Sequence, residues 1–172
     1  MVTQSSQTGT DIVDQLDGTV TSYLAMKASL TNITQKPPKV WAVNSLNLLR
    51  ENLRPTTEDV LGLTHGSSHE DTELVDGMAL EYQWIRCGEG MDPHSHAWWH
   101  LFFVISGEVV ICFGGESERH LRAGDVAFVP PKIPHGFRND DPVVDAVMYS
   151  LTNKAALART GQFVKAVPAA LD

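Results

Sequence analysis

The sequence predicts an all-β fold, an antiparallel sandwich or barrel, preceded by a helical extension. Three observations carry this. Beyond residue 78 the chain divides into short runs rich in β-branched and aromatic residues. Turn signals built on glycine and proline separate those runs at short, regular intervals. Upstream of residue 31 the apolar residues instead recur at helical spacing.

The first ten residues are polar and rich in Ser, Thr and Gln, which suits a frayed terminus. Ile12, Leu16, Val20, Tyr23, Leu24 and Leu30 then mark an amphipathic helix over residues 11–30, able to cover the barrel or a second subunit. Pro37 and Pro38 break the chain. Residues 40–43 are expected as a short strand, 45–53 as a short helix, and the polar stretch HGSSHEDTELVDG at 65–77 as a loop. Strands are expected at 78–86, 98–106, 109–113, 119–121, 126–129 and 143–150. The turns between them fall at Gly88 and Gly90, Ser106 and Gly107, Gly114 and Gly115, Gly124 and Asp125, and Pro130 and Pro131. A closing helix is expected within 154–164. The organisation is thus an extension over 1–77, a β core over 78–152 and a closing segment over 153–172, with no internal repeat.

The bulk composition narrows the function. Of 172 residues, 13 are Lys or Arg and 21 are Asp or Glu, a formal charge of −8. Such a chain repels phosphate backbones and anionic lipid, so neither a nucleic acid nor a membrane is expected as a partner. No apolar run approaches the roughly 20 residues needed to span a bilayer, and residues 1–17 lack a secretory pattern. With only Cys87 and Cys112, read as free thiols, the expected location is the cytoplasm.

Four of the seven histidines carry the chemistry. His94, His96 and His100 stand in HSHAWWH at 94–100 and share one parity, so an extended chain turns all three to one face. That face continues through Trp98, Phe102 and Val104, which marks it as the inward one. Buried imidazoles need partners, because an unpaired buried polar group costs roughly 1–3 kcal/mol. A shared cation meets that need. His135 stands in PPKIPHG at 130–136, where the prolines make a stiff mount for a fourth ligand. His65, His69 and His120 lie in polar surroundings and read as solvated.

These residues fall in the pattern of the cupins. The first cupin motif is Gly, five residues, His-x-His, three or four residues, Glu, six residues, Gly; here it resembles Gly88, His94, His96, His100 and Gly107, with histidine in place of the glutamate. The second resembles Gly124, Pro130, His135 and Asn139, with Lys132 at its internal glycine. The resemblance covers about residues 78–150. It implies a cupin-type double-stranded β-barrel, or jelly roll, with one divalent metal on His94, His96, His100 and His135. Fe²⁺ is the first expectation, with Zn²⁺, Ni²⁺, Mn²⁺ and Co²⁺ as alternatives; imidazole donors disfavour Mg²⁺ and Ca²⁺. Replacing the glutamate leaves the ion its full +2 charge, which favours an anionic substrate oxygen. His100 could instead stand outside the coordination shell, leaving a three-histidine site.

The cavity is expected to be largely apolar and to take a flat, oxygen-bearing aromatic or polyketide-like molecule. Met91, Trp98, Phe102, Phe128, Phe137 and Trp84 are its expected walls, and Arg86 is expected to orient an anionic group. Tyr82 and His100 are the candidate catalytic groups for proton transfer. No carboxylate shares the histidines' parity; Glu81 is expected on the face opposite Tyr82, away from the site. The leading expectation is a non-haem iron dioxygenase using O₂ on an aromatic or enolisable small molecule. A zinc-type cyclase, isomerase or lyase is the second, and a ligand-binding sensory module the third. A homodimer is expected.

Overall fold

A computed structural model describes residues 22–24, 37–54, 59–66, 72–114, 117–164 and 166–169. The predicted helix at 11–30 falls almost wholly outside these residues, as does His69. Residues 1–38 and 39–172 are separate units, and the sheets belong to the second.

The alternating apolar residues past position 78 do form antiparallel strands. Before them come α1 (Val43–Leu53) and β1 (Val60–Leu63). Then follow β2 (Ala79–Ile85), β3 (Gly90–Ser95), β4 (His100–Ser106), β5 (Glu108–Phe113), β6 (Glu118–Arg122), β7 (Val126–Val129), β8 (His135–Arg138) and β9 (Ala146–Thr152). The chain closes with α2 (Lys154–Arg159) and the short β10 (Val167–Pro168). One five-stranded sheet has the order β1-β2-β9-β4-β7 and the other β10-β3-β8-β5-β6. Among the described residues no helix is long and apolar enough to cross a membrane.

Between the sheets lies a core of Phe102 and Val104 from β4, Met148 from β9, Val109 and Ile111 from β5, and Phe137 from β8. A second apolar cluster sits on the outer face of the first sheet. There Leu46 of α1 packs on Tyr82, Trp84 and Val147, with Trp41 and Leu53 at its edge. The Tyr82 hydroxyl donates to Asn47 Oδ1 at 2.7 Å, and Arg54 meets the buried carboxylate of Asp145 at 2.8 Å, so α1 is pinned as well as packed.

Three expectations need correction. Residues 40–43 form no strand; α1 begins at Val43, because its helical face, not an extended chain, supplies Leu46 to the outer cluster. Four strands, β1, β3, β8 and β10, escaped the sequence reading; β3 and β8 did so because Pro93 in one and Pro134 and Gly136 at the other signal turns. The segment 94–100 is also not one extended run. It leaves the second sheet after Ser95, bends through 97–99 and enters the first sheet at His100.

Two backbone features tie the neighbouring segments to that crossing. Gly136 lies so close to β3 that a Cβ there would stand 2.9 Å from the Met91 carbonyl, which only glycine tolerates. Lys132, at the motif's glycine position, adopts a left-handed φ of 65°. Its N–H donates to the His96 carbonyl at 2.8 Å, so the loop carrying His135 is tied to the segment carrying His96.

Candidate metal centre

The histidines arrive from both sheets. His94 on β3 and His135 on β8 are direct cross-strand partners, with ring centroids 4.6 Å apart. His96 follows β3 into the bend, 4.9 Å from His135 by ring centroids. His100 opens β4 and comes in from the opposite sheet, 4.7 Å from His96.

Hydrogen bonds fix the tautomers of three rings. Nδ1 of His94 lies 2.9 Å from the Asp92 carbonyl, Nδ1 of His96 lies 2.8 Å from the Trp98 carbonyl, and Nδ1 of His135 lies 2.9 Å from the Ile133 carbonyl. A carbonyl only accepts, so each Nδ1 carries the proton and donates it. Each Nε2 is then left with a free lone pair. These three rings have ligand atoms lying within 4.8 Å of one another. Among the described residues the buried Nε2 of His135 has no hydrogen-bond partner.

That arrangement fits a divalent metal. Donation of the second ring nitrogen to a carbonyl is what orients ligating histidines and raises their basicity. Neutral imidazole is also the form that burial enforces. Loss of water, then the neighbouring His135, push His96 down to about 4. Burial likewise pushes His135 down to about 4.

His100 differs. Its Nε2 accepts the Trp98 indole N–H at 3.0 Å, so its own proton sits on Nδ1 and is donated to Ser150 Oγ at 2.6 Å. Burial, ahead of the neighbouring histidines, holds its pKa down to about 2. Its Nε2 stands 3.0 Å from that of His96. Two unprotonated ring nitrogens at this separation repel, and a nearby cation relieves that repulsion.

A cavity of about 150 Å³ opens on the four rings. Of the residues expected as its walls, Met91, Trp98, Phe102 and Phe137 line it. Four other expected residues do not. Tyr82 and Trp84 point outward from β2 into the cluster under α1, where burial raises the phenol's pKa and leaves it no access to the cavity. Phe128 is exposed on the outer face of the edge strand β7, near Trp99. Arg86 is engaged with Asp59 at 2.7 Å and with the Arg54 carbonyl, outside the cavity.

Conversely, Glu81, Gln83 and Lys154 line the cavity and were missed. The β2 register sets Glu81 opposite Ser150 of β9, which is opposite Phe102 of β4, so Glu81 shares the inner face with the His100 partner. Its carboxylate pairs with Lys154 at the start of α2. A polar Glu-x-Gln alternation within a strand of otherwise large apolar residues was the available signal. Of the remaining histidines, His120 is exposed on β6 and His65 lies in the loop after β1; neither lines the cavity.

Comparison with protein families matches residues 84–152 to the family described as "Cupin domain". No curated protein matches the sequence. Among solved structures the chain is similar to salicylate 1,2-dioxygenase from Pseudaminobacter salicylatoxidans, with a TM-score of 0.70 and 16% identity over 89% of this chain and 50% of that one. A glycine-to-alanine variant of salicylate 1,2-dioxygenase from Pseudoaminobacter salicylatoxidans gives 0.72 and 17%, over 88% and 46%. A tryptophan-to-tyrosine variant gives 0.71 and 19%, over 86% and 44%. The chain spans about half the length of these proteins, and at such identities the likeness is one of fold. Both cupin motifs, the two facing antiparallel sheets and the convergence of His94, His96 and His135 agree with the family match over residues 84–152, and the fold of the chain is the cupin barrel.

Proposed function

We propose that this chain is a metal-dependent cupin enzyme of the non-haem iron dioxygenase type, holding its ion on Nε2 of His94, His96 and His135. The single observation behind this is the set of three carbonyl-locked imidazoles, one of them with a buried, partnerless Nε2. A divalent iron held by these rings would supply Lewis acidity and redox capacity. Three neutral ligands leave the site at +2, which selects a substrate with an anionic oxygen.

The chain's own residues limit what enters. A cavity of about 150 Å³ holds roughly five water volumes at ~30 Å³ each, well below the ~300–1,000 Å³ of drug-sized pockets. That favours a molecule of one ring over a polyketide. Met91, Trp98, Phe102 and Phe137 exclude water and offer flat apolar contact. Glu81, paired with Lys154, and Gln83 give the opposite wall polar groups able to orient a hydroxyl or amino substituent. Salicylate 1,2-dioxygenase, the protein similar in fold, has been solved with gentisate, so gentisate and salicylate are the natural first probes.

The test is metal analysis of the purified protein, followed by O₂ uptake with Fe²⁺ and either probe. Uptake that follows iron content supports the proposal. A protein that binds only zinc and consumes no O₂ after iron loading overturns it. Turnover that persists under nitrogen transfers the site to non-redox Lewis-acid chemistry.

A further inference from the structure

We propose that Trp98 is the positioning residue of this centre: its indole N–H holds His100 outside the coordination shell, while its ring and carbonyl fix His96. The inference rests on the three-imidazole reading above and concerns what keeps a fourth imidazole, only 3.0 Å from His96 Nε2, from joining.

Trp98 makes three separate contacts with the histidines. Its carbonyl accepts the His96 Nδ1–H at 2.8 Å. Its ring lies flat on the His96 imidazole, with centroids 4.0 Å apart and planes inclined by 3°. Its Nε1–H donates to His100 Nε2 at 3.0 Å. On its other face the indole stacks on Phe163, 5.1 Å away and inclined by 6°. Phe163 precedes β10, whose Pro168 pairs with His94 on β3, so the ring is clamped from both sides. Trp98 is accordingly buried although it lies in a bend.

The exclusion is a matter of lone pairs. A neutral imidazole has one unprotonated nitrogen, and its single in-plane lone pair either accepts a hydrogen bond or binds a metal. At His100 the indole takes that pair, and the Ser150 hydroxyl accepts the proton on the other nitrogen. Both ring nitrogens are occupied. At His94, His96 and His135 only Nδ1 is occupied, by a carbonyl. The partners of each ring therefore sort the four histidines into three ligands and one reserve.

Trp98→Phe keeps a stacking ring and removes only the N–H. With Cu²⁺ as the reporter, nitrogen hyperfine structure in the electron paramagnetic resonance spectrum counts bound imidazoles. We expect three in the wild type and four in W98F, with Cu²⁺ held at least tenfold tighter, and three again in W98F combined with His100→Ala. Four imidazoles in the wild type, or three in W98F, overturns the role given to Trp98. A second measurement needs neither metal nor that variant. In the metal-free wild type the Trp98 indole proton is expected to exchange with solvent at least tenfold more slowly than in His100→Ala; equal exchange overturns the hold on His100. A wild-type chain that takes up neither Cu²⁺ nor Fe²⁺ removes the metal reading itself, and the exchange measurement still decides whether Trp98 holds His100.

Discussion

Tyr82 and Trp84 on one face of β2, and Glu81 and Gln83 on the other, are all buried, but the two faces serve different ends. The aromatic pair looks away from the barrel and packs under α1, in a cluster with Leu46, Leu63 and Val147. The polar pair looks into the barrel and lines the cavity that opens on the histidines. In a sheet with one wet face, apolar residues mark the inside. Here a helix covers the outer face over β1, β2 and β9, so both faces are dry. Polarity then marks the face with a cavity, where a buried carboxylate and amide can meet a ligand, and greasiness marks the face that is merely packed. Changes on the outer face should therefore alter stability and leave the site intact, and changes on the inner face should do the reverse.

The largest effect expected is on the inner side. His135→Ala removes a ring whose Nε2 has no partner among the described residues, and metal content should fall from one ion per chain to essentially none, as elemental analysis will show. Retention of a full equivalent would break the comparison at its root. On the outer side, Trp84→Ala should lower unfolding free energy by about 3–5 kcal/mol in urea titration. The folded fraction should still bind one metal ion; loss of metal binding from folded protein would mean that Trp84 reaches the site after all.

Acid should act on the inner side next. His96 and His135, held neutral with pKa values of about 4, have an ordinary value near 6.5 in the unfolded chain. Between those values the unfolded state binds protons that the folded state refuses. Stability of the metal-free protein should then be complete above pH ~6.5 and be lost as pH falls towards ~4, by ~3 kcal/mol per ring at ~1.4 kcal/mol per unit. Metal binding should weaken over the same range. Urea midpoints that stay flat between pH 7 and 4.5 would rule this out.

Smaller effects sharpen the contrast within β2. Glu81→Gln should raise KM for a hydroxylated substrate about tenfold, some 1.4 kcal/mol, with metal content unchanged. If it instead lowers the thermal midpoint and leaves KM alone, the pair with Lys154 serves only to pin α2. Tyr82→Phe should cost about 1 kcal/mol of stability through the lost bond to Asn47, with kcat and its pH profile unmoved. A change in that profile would return Tyr82 to the catalytic role that its place in the structure denies it.

Much of the fold was legible because its signals are local. The glycine turns, the β-branched runs and the spacing of both histidine motifs can each be read from a few neighbouring residues. Strands β3 and β8 were not, since Pro93, Pro134 and Gly136 advertise turns while their pairing partners lie far along the chain. The inward parity of Phe102 and Val104 with His100 was readable within β4. Extending that parity back to His94 failed at the bend over 97–99, because alternation holds only within a single strand.

By itself the sequence determined which chemistry is available: imidazole donors in two motifs, apolar walls beside them and a barrel to hold both. It did so because residue type and spacing are local properties. Only the tertiary structure decided which side of β2 faces the cavity, and which partner each ring nitrogen finds. Those depend on α1 covering one sheet, on Ser150 of β9 reaching His100, and on the bend that folds Trp98 back onto His96 and His100; contacts between distant segments leave no trace in a short stretch of chain, and the direction of a bend is not written in its own residues.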